Sequence, residues 1–314
     1  MSSYLYGVDV GGTSVKIGLF EADGTLLEKF DIPTRLENDG AEVIGDIADA
    51  LKNRLADRGD STESLLGIGI GVPGPILPGG IVNRCVNVGW GIKNVSQELS
   101  EQMGGIRVEV LNDANAAALG EYWKGAGQGF HSLVMVTLGT GIGGGIVVDD
   151  RVVGGAHGAG GEIGHLKVRP DEPELCNCGK AGCLEQYASA TGLVRLAKRH
   201  LALHGETGLL AECGNFTARD VINAAKQEDP VAMEAFDEMC RYLGEGLALV
   251  SCVADPEVIV IGGGVSAAGD FLLDRIRSYY VPAVFHASRD TRFVLATLGN
   301  DGGIYGAAKM VLAS

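Results

Sequence analysis

The sequence has no apolar run of membrane-spanning length, and its amino terminus, MSSYLYGVDV, lacks the basic segment and apolar core of a secretory signal. Positive charge is also scarce, because 25 lysines and arginines stand against 40 acidic residues and leave a net charge of −15. Such a chain repels nucleic acid and anionic membrane surfaces. We therefore expect a cytoplasmic protein whose partners are neither nucleic acids nor membranes.

Two common nucleotide-binding signatures are missing as well. The P-loop pattern GxxxxGK[ST] does not occur in the sequence. Glycine-rich segments do occur, but each opens a strand-like run, whereas the dinucleotide fingerprint opens a helix. Low-complexity linkers are also absent, so we expect the parts of the chain to pack closely. If the chain binds a nucleotide, it uses a different kind of loop.

The composition that remains is that of a globular protein, with 46% hydrophobic residues, 21% charged residues and 49 glycines. At 314 residues the chain is long for one compact core. Its length therefore favours two domains, and the cleft between two domains is a usual place for a small-molecule site.

The order of predicted elements repeats along the chain. Residues 4–33 contain three β-rich runs separated by turn signals, which predicts an antiparallel meander, and Leu65–Val72 is typical of a buried strand. The segment SLVMVTLGTGIGGGIVVDDRVVGG repeats the opening order of strand, glycine turn and strand. Helical periodicity follows over Ala190–His204 and residues 230–252, and EVIVIGGG is typical of a strand. The sequence thus predicts an α/β unit made twice.

Two glycine-rich turns occupy equivalent places in these repeats, DVGGT at residues 9–13 and LGTGIGGG at residues 138–145. Glycine lets backbone N–H groups approach phosphate oxygens closely, and Thr13 and Thr140 add hydroxyl donors. Either turn alone is best interpreted as a tight hairpin. Together they predict loops that hold a nucleotide tail from both sides, whereas Lys16 is interpreted as a solvated surface charge.

A cysteine-rich segment carries the clearest metal signal. With His165, the segment CNCGKAGC gives the spacing H-x10-C-x-C-x4-C. Zinc accepts four such ligands tetrahedrally, whereas free cysteines buried as hydrophobes rarely cluster with glycines between them. The spacing predicts a zinc site formed by His165, Cys176, Cys178 and Cys183. We assign the other cysteines to the core or the surface: Cys85, Cys213, Cys240 and Cys252.

Asn112 and Asp113 end the apolar strand VEVL and open the helix DANAAALGEYW. Active sites in α/β sheets favour the carboxyl ends of strands. The commonest role for Asp at such a place is nevertheless a helix N-cap. From spacing alone, the capping role is the better interpretation of Asp113.

Four segments, taken in order, resemble the signatures of the ROK (repressor, open reading frame, kinase) family: DVGGTSVKIGLF, LNDANAAALGE, TLGTGIGGG, and GEIGH followed by CNCGKAGCLE. The resemblance spans most of the chain. It implies a duplicated, actin-like or ribonuclease H-like two-domain sugar kinase fold of the α/β class with a zinc-binding loop. We expect a small N-terminal domain over residues 1–112, completed by a C-terminal helix at 302–314, and a large domain over residues 113–301 with its zinc element at 165–183.

The resemblance also implies that ATP lies between the domains, with Mg²⁺ bridging its phosphates. The glycine loops are then phosphate cradles, and Gly263 lies near the adenosine, although IGGGVS alone is an ordinary strand-to-helix turn. Asp9 is expected to act on Mg²⁺ through water. The nucleotide-site residues expected in this way are Asp9, Gly11, Gly12, Thr13, Gly139, Thr140, Gly141 and Gly263.

By the same resemblance, Asp113 is the catalytic base that accepts the proton of the attacking sugar hydroxyl. Phosphoryl transfer has a loose transition state, so this base need not be strong. Zinc is implied to be structural and to brace the loop that carries Glu185, while His165 also donates to a sugar hydroxyl. The expected sugar-site residues are Gly80, Asn87, Asn112, Asp113, Glu162, His165 and Glu185. For the last three, a solvated surface position is the alternative.

The family also contains repressors, which carry a helix-turn-helix domain ahead of the core. Nothing precedes the strand at Tyr4 and the chain is acidic, so we expect a kinase, with a sugar-binding sensor as the alternative. The segments VGGTSVKIGLF and GCLEQYASATGL match glucokinases best, which makes the 6-hydroxyl of glucose the expected acceptor. N-acetylmannosamine, N-acetylglucosamine and fructose are rival substrates, and polyphosphate or ADP are rival donors. The family further implies a homodimer or a dimer of dimers.

Overall fold

The computed structural model describes residues 4–204 and 208–313, which form two compact units. Within these residues, unit 1 comprises 4–133, 145–161 and 297–313, and unit 2 comprises 134–144, 162–204 and 208–296. The chain therefore contributes separate segments to each unit. The functional domain boundaries implied by the family resemblance stay a prediction.

Strands and helices follow each other much as the sequence pattern predicts. The strands are β1 Tyr4–Val10, β2 Ser14–Glu21, β3 Leu26–Pro33, β4 Leu65–Val72, β5 Ile76–Leu77, β6 Ile81–Cys85, β7 Trp90–Asn94, β8 Val108–Asn112, β9 Ser132–Leu138, β10 Ile142–Val148, β11 Arg151–Val152, β12 Val258–Gly262 and β13 Arg292–Leu295. The helices are α1 Glu37–Gly40, α2 Val43–Asp57, α3 Val95–Gln102, α4 Asp113–Lys124, α5 Glu185–Ala188, α6 Ala190–His204, α7 Leu209–Cys213, α8 Ala218–Lys226, α9 Pro230–Ala254, α10 Asp270–Ala283 and α11 Gly302–Ala313.

The first sheet has the strand order β3-β2-β1-β4-β8. Its first three strands form the predicted antiparallel meander, in which Asp9 of β1 lies opposite Lys16 of β2. Strand β4 runs parallel to β1, and β8 runs parallel to β4. The carboxyl ends of these three strands therefore meet at one edge of the sheet, where Asn112 ends β8 and Asp113 begins α4.

The second sheet has the order β11-β10-β9-β12-β13, which is the order of the first sheet repeated with later strands. Strand β12 is fully buried and runs parallel to β13. Burial on both faces explains why VIVIG has no polar residue. The predicted duplication of the α/β unit is thus confirmed.

Helix α11 packs against β1, β4 and α4 within unit 1. The approach is so close that a Cβ atom on Gly69 would overlap the carbonyl group of Ala307. Leu5 and Phe20 from the first two strands share a buried cluster with Ile304 of α11. The last helix therefore belongs to the same core as the first strand.

A small sheet of order β5-β6-β7 was not predicted from the sequence. It lies in unit 1, and its hairpin β6–β7 is antiparallel. The buried indole of Trp90 anchors it by donating a hydrogen bond to the carbonyl oxygen of Gly40 at 2.9 Å. The small sheet thereby fixes the segments on either side of β6 that carry Gly80 and Asn87.

Unit 2 contains a group of packed helices, in which α9 packs against α6, α8 and α10. Helix α9 begins at Pro230 because the Asp229 side chain accepts a hydrogen bond from the N–H of Ala232. It ends at Asp255, which adopts a left-handed conformation. In the two described stretches of the chain, no helix combines the length and the apolar character needed to cross a membrane.

Candidate active site and metal centre

The first glycine loop joins β1 to β2 in unit 1. Its turn is closed by a hydrogen bond from the N–H of Gly11 to the Ser14 carbonyl at 3.0 Å, and Thr34 donates its hydroxyl to the Gly11 carbonyl at 2.7 Å. Gly12 and Thr13 are exposed. The loop is therefore a hairpin fixed by hydrogen bonds, and its tip is accessible to a ligand.

Asn112, not Asp113, caps helix α4. The Asn112 side-chain oxygen accepts from the N–H groups of Ala114 and Asn115 at 3.0 and 3.1 Å, and its amide donates to the Gly74 carbonyl at 3.2 Å. The Asp113 carboxylate accepts from the N–H of Ala114 at 2.9 Å and also interacts with the Asn112 side chain. The carboxylate at this edge of the sheet is thus largely available for chemistry.

The environment of Asp113 favours its protonated form. Burial raises the pKa of Asp113 above its usual value, although the N–H of Ala114 opposes the shift. Burial also raises the pKa of Asp9 to about 6, against the charge of Lys16 and with a smaller contribution from the charge of Asp113. The two carboxylates therefore interact electrostatically within unit 1.

Gly80 and Asn112 line the same groove, which has a volume of about 900 Å³ and follows the edge strand β8 in unit 1. Gly80 has a positive φ of 73° and lies against Ser96 at the start of α3. Asn87 is exposed on the turn between β6 and β7, where its carbonyl oxygen would lie 3.5 Å from a Cβ atom on Gly12. Asn87 is thus beside the first glycine loop.

The second glycine loop, residues 139–141, joins β9 to β10 in unit 2. The N–H of Ala190 donates to the Gly139 carbonyl at 2.8 Å, and the Thr191 hydroxyl donates to the Thr140 carbonyl at 2.6 Å. These bonds attach the loop to the start of α6. Gly263 directly follows β12 and lies against Leu138, the last residue of β9. The approach is so close that a Cβ atom on Gly263 would overlap the backbone of Leu138.

A cavity of about 450 Å³ opens in unit 2 between α8 and the 3₁₀ segment Gly264–Ala268, next to Gly263. Ile222, Val265 and Ala268 give it apolar walls, and Asn223 and Lys226 add polar groups. A flat heteroaromatic ring suits such a slot, because apolar walls stack on its faces while a few polar groups orient it.

The predicted zinc ligands come together. One candidate ligand atom from each of His165, Cys176, Cys178 and Cys183 lies within 4.8 Å of the others. The sulfurs of Cys178 and Cys183 are 3.6 Å apart, and the Cys176 sulfur is 3.8 Å from His165 Nδ1. Ligands of tetrahedral zinc are about 3.4–3.8 Å apart when the metal lies about 2.1–2.3 Å from each. The cluster therefore fits zinc in spacing and in chemistry.

Glu185 links the cysteine cluster to the second glycine loop. Its Oε1 accepts from the Cys176 thiol at 2.9 Å and lies 3.7 Å from His165 Nδ1, while its Oε2 accepts from the N–H of Ile142 at 3.4 Å. The other ring nitrogen of His165 lies 3.8 Å from the exposed carboxylate of Glu162. Glu162, His165 and Glu185 thus form one polar group within unit 2.

A buried ion-pair cluster around Glu172 also fixes the cysteine loop, and the sequence analysis did not predict it. The buried Glu172 side chain accepts hydrogen bonds from Tyr187 and, at 3.1 Å, from Arg199, and it pairs with Arg195 at 3.4 Å. Burial alone would raise the pKa of Glu172, but hydrogen bonds from Tyr187, the Glu174 N–H and Arg199 hold it at about 2. Nothing in the local pattern DEPE distinguishes this carboxylate from the other acidic residues.

The predicted residues divide between the two units. Unit 1 holds the first glycine loop with Asp9, Asn87, Gly80, Asn112 and Asp113, and unit 2 holds the second glycine loop, Gly263, the cysteine cluster, Glu162 and Glu185. Two repeated sheets, each with a glycine-rich hairpin, define the duplicated actin-like fold of sugar kinases. The model of the ROK family matches residues 5–314, and this chain belongs to the ROK family. The resemblance inferred from the motifs is confirmed.

Individual relatives are similar over nearly the whole chain. A glucokinase of Halalkalibacterium halodurans is 43% identical over 310 residues, which cover 97% of this chain and 94% of that protein. A putative xylose repressor of Caldicellulosiruptor sp. is 30% identical over 318 residues, which cover 98% of this chain and 78% of that protein. The crystal structure of a ROK family glucokinase from Streptomyces griseus in complex with glucose and AMPPNP has a TM-score of 0.77 and 34% identity, covering 99% of this chain and 100% of that one.

Proposed function

We propose that the protein is a glucokinase that transfers the γ-phosphoryl group of ATP to the 6-hydroxyl of glucose. The observation that carries the proposal is the position of Asp113 at the carboxyl edge of a sheet, with the capping of α4 left to Asn112. The choice of glucose rests on the 43% identity to a glucokinase and on the similarity to a glucokinase solved with glucose.

In this proposal, Asp113 accepts the proton of the 6-hydroxyl as that oxygen attacks the γ-phosphorus. The raised pKa of Asp113 is compatible with this role, because a carboxylate whose pKa lies closer to neutral pH holds the transferred proton better. The loose transition state of phosphoryl transfer needs little assistance from a base before the leaving oxygen departs. Asp113 therefore contributes mainly by orienting the hydroxyl and receiving its proton late.

ATP binding is assigned to the two glycine loops and the unit 2 cavity. The apolar cavity beside Gly263 suits the adenine ring, and the exposed N–H groups near Gly12 and Thr140 suit phosphate oxygens. Mg²⁺ would enter with ATP and neutralise charge on its phosphates. Asp9, on the strand that leads into the first glycine loop, is the carboxylate placed to act on that ion through water.

The sugar hydroxyls are assigned to polar groups that the family resemblance singles out. Glu162, His165 and Glu185 supply carboxylate and imidazole groups, which suit vicinal hydroxyls. Gly80, Asn87 and Asn112 are the corresponding residues proposed for unit 1. When glucose is bound, these groups exclude water that would otherwise compete for the γ-phosphoryl group.

Zinc is proposed to be structural, with His165, Cys176, Cys178 and Cys183 as its ligands. Four protein ligands leave no open position for catalysis, and the ion holds the loop that positions Glu185 and His165. The His165 nitrogen that faces Cys176 is Nδ1, which leaves Nε2 on the side of Glu162. This arrangement supports the proposed double role of His165.

The test is an ADP-release assay with Mg-ATP and a panel of sugars: glucose, N-acetylmannosamine, N-acetylglucosamine, fructose and xylose. We expect the highest kcat/KM with glucose, and ³¹P NMR of the product should place the phosphate on O6. A preference for an acetamido sugar would keep the kinase mechanism and refute glucose as the substrate. Sugar binding without turnover by any sugar would refute the kinase and favour a sensor, the role suggested by the similarity to a repressor.

Two further expectations belong to the same proposal. A cytoplasmic location agrees with ATP as the donor and with thiolates that must stay reduced to bind zinc. A homodimer is expected for the family, and analytical ultracentrifugation tests it directly. Measuring the sugar phosphate with polyphosphate or ADP in place of ATP tests the choice of donor, because ADP as donor would leave AMP and polyphosphate would leave a shorter chain.

A further inference from the structure

A second cluster of metal-binding side chains lies in unit 2, outside the cysteine loop. His200 and His204 are one turn apart on α6, so both rings project from the same face of the helix. Their rings are stacked, with 6.1 Å between centroids and 7° between planes. Glu234 of α9 faces them, and candidate ligand atoms of the three residues lie within 4.8 Å of one another.

One carboxylate oxygen of Glu234 contacts both imidazoles. Its Oε2 lies 2.7 Å from His204 Nε2 and 3.1 Å from His200 Nδ1. Nitrogen and oxygen ligands about 2.1 Å from a tetrahedral zinc ion would be about 3.4 Å apart. Small side-chain rotations would therefore open the space that an ion needs.

Glu238, one turn beyond Glu234, contacts the other side of His200. Its Oε2 lies 2.9 Å from His200 Nε2. If Nε2 donates its proton to Glu238, the lone pair of Nδ1 points toward the Glu234 carboxylate. Within residues 4–204 and 208–313, this buried Nδ1 has no hydrogen-bond partner despite the short distance to Glu234. A lone pair facing a carboxylate is unfavourable unless a cation lies between them.

Either a proton or a metal ion could be that cation, and the side-chain arrangement favours a metal. Two histidines at positions i and i+4 on one helical face are a recurrent chelating pair. A carboxylate that accepts the far N–H of a histidine is the usual outer partner of a metal-bound imidazole. Both features occur here, with Glu234 as a third ligand.

We propose that His200, His204 and Glu234 bind one transition-metal dication such as Zn²⁺, with Glu238 as the residue that positions His200. Imidazole and carboxylate ligands suit Zn²⁺, Ni²⁺ and Cu²⁺, whereas Mg²⁺ and Ca²⁺ prefer oxygen ligands alone. Three protein ligands leave a coordination position for water, in contrast to the four ligands of the cysteine cluster.

The ion would join the end of α6 to the first turns of α9. The start of α6 holds the second glycine loop through the bonds of Ala190 and Thr191. A metal at His204 would therefore fasten the opposite end of the helix that supports this loop. Because the ligands come from two helices, binding requires the folded unit and stabilises it by mass action.

Equilibrium dialysis of the full chain against micromolar free Zn²⁺, followed by metal analysis, tests the proposal. We expect the unmodified protein to hold one zinc more per chain than His200→Asn or His204→Asn. His286→Asn is the matched control, because His286 is exposed and lies outside the cluster. The difference in zinc content does not depend on whether the cysteine cluster is filled, since all four proteins share that cluster.

Two more readouts distinguish a metal site from an ion-pair cluster. Zinc should raise the Tm of the unmodified protein more than that of His204→Asn, a variant chosen because the His204 side chain is partly exposed and its replacement leaves no buried cavity. Glu238→Gln should weaken binding of this zinc roughly 10- to 100-fold. Equal zinc contents in the unmodified protein and the two histidine variants would overturn the proposal and leave an ion-pair cluster that binds no metal.

Discussion

The two units hold their proposed site residues by different means. In unit 1, Asp113 stands at a strand-to-helix junction, fixed by the ladder of β4 with β8 and by the Asn112 cap. In unit 2, Glu185 lies in the short helix α5 and His165 lies in a 3₁₀ turn. Both segments are fixed by side chains, namely the cysteine cluster and the buried Glu172. Regular backbone structure carries the first site, and specific side chains carry the second.

This difference predicts unequal sensitivity to change. A strand-to-helix junction keeps its geometry when one surface side chain is replaced, because many main-chain hydrogen bonds together fix that geometry. A loop held by a metal or by one buried carboxylate loses its geometry when that single group is removed.

Among the changes that test this comparison of the two units, the largest effect is expected for Cys178→Ser. Cys178 is exposed, so the change leaves no cavity and acts through the lost zinc ligand. A displacement of about 1 Å in the groups that orient the substrate costs about 10²-fold, and we expect kcat/KM for glucose to fall by about that factor. Steady-state kinetics with zinc analysis measures the effect.

Cys252→Ser is the control for this prediction, because Cys252 is also exposed but lies outside the cluster. Hydrogen exchange should increase around residues 165–185 and stay unchanged at β8 and α4. An equal increase in hydrogen exchange in both units would contradict the proposal that backbone structure fixes the site residues of unit 1 and side chains fix those of unit 2.

A smaller effect is expected for Glu172→Gln. Removing this buried charge leaves Arg195 and Arg199 without their buried partner, which should lower stability by about 3 kcal/mol at neutral pH. Because the folded pKa of about 2 lies below the usual glutamate pKa of 4.5, the charge stabilises the protein above pH 4.5. That stabilisation should disappear as the pH falls from 4.5 towards 2.

Urea denaturation of Glu172→Gln at several pH values measures this contribution. Glu174→Gln is the matched control, since Glu174 pairs with the same two arginines but is 59% exposed. We expect less than about 1 kcal/mol from the exposed pair. A control variant as unstable as Glu172→Gln would show that burial is not what matters.

The smallest effect is expected for Asp9→Asn in unit 1. The folded pKa of Asp9 is raised from 3.8 to about 6, so ionising it destabilises the fold as the pH rises through this range. The variant should therefore be more stable by about 2 kcal/mol at about pH 8, with little gain at about pH 4. Its activity should fall, because the proposed magnesium partner is lost.

Thermal or urea denaturation at the two pH values checks the prediction for Asp9. Asp149→Asn serves as the control, because Asp149 is an exposed turn residue in the same unit. A gain in stability that does not depend on pH would mean that ionisation of Asp9 is not its cause.

Much of the fold could be predicted from the sequence, because periodicity and turn residues are local signals. Strand β4 and helix α6 have the predicted bounds, and the glycine loops lie at the predicted hairpins. The small sheet was missed because β5 has only two residues, too few to establish a period. Repetition in the sequence predicted that the unit is made twice, whereas the parallel pairing of β4 with β1 and β8 came from the structure.

The site was predictable only where spacing is diagnostic. The cysteine spacing predicted the cluster, which the structure brings together. Spacing alone favoured a capping role for Asp113, and this interpretation was wrong because its neighbour Asn112 is the cap. Glu172 and its arginines are 23 and 27 residues apart, and no local pattern reveals such a pair. Long-range side-chain contacts need the folded structure.

The most direct test of the account is glucose-dependent ADP release by Asp113→Asn beside the unmodified protein. Loss of a positioned general base costs about 10²- to 10⁴-fold, so we predict kcat lower by about 10³-fold. Tm should not fall, because the change removes a carboxylate whose ionisation burial opposes. Near-normal turnover by a folded, glucose-binding Asp113→Asn protein would contradict the assignment of Asp113 as the base.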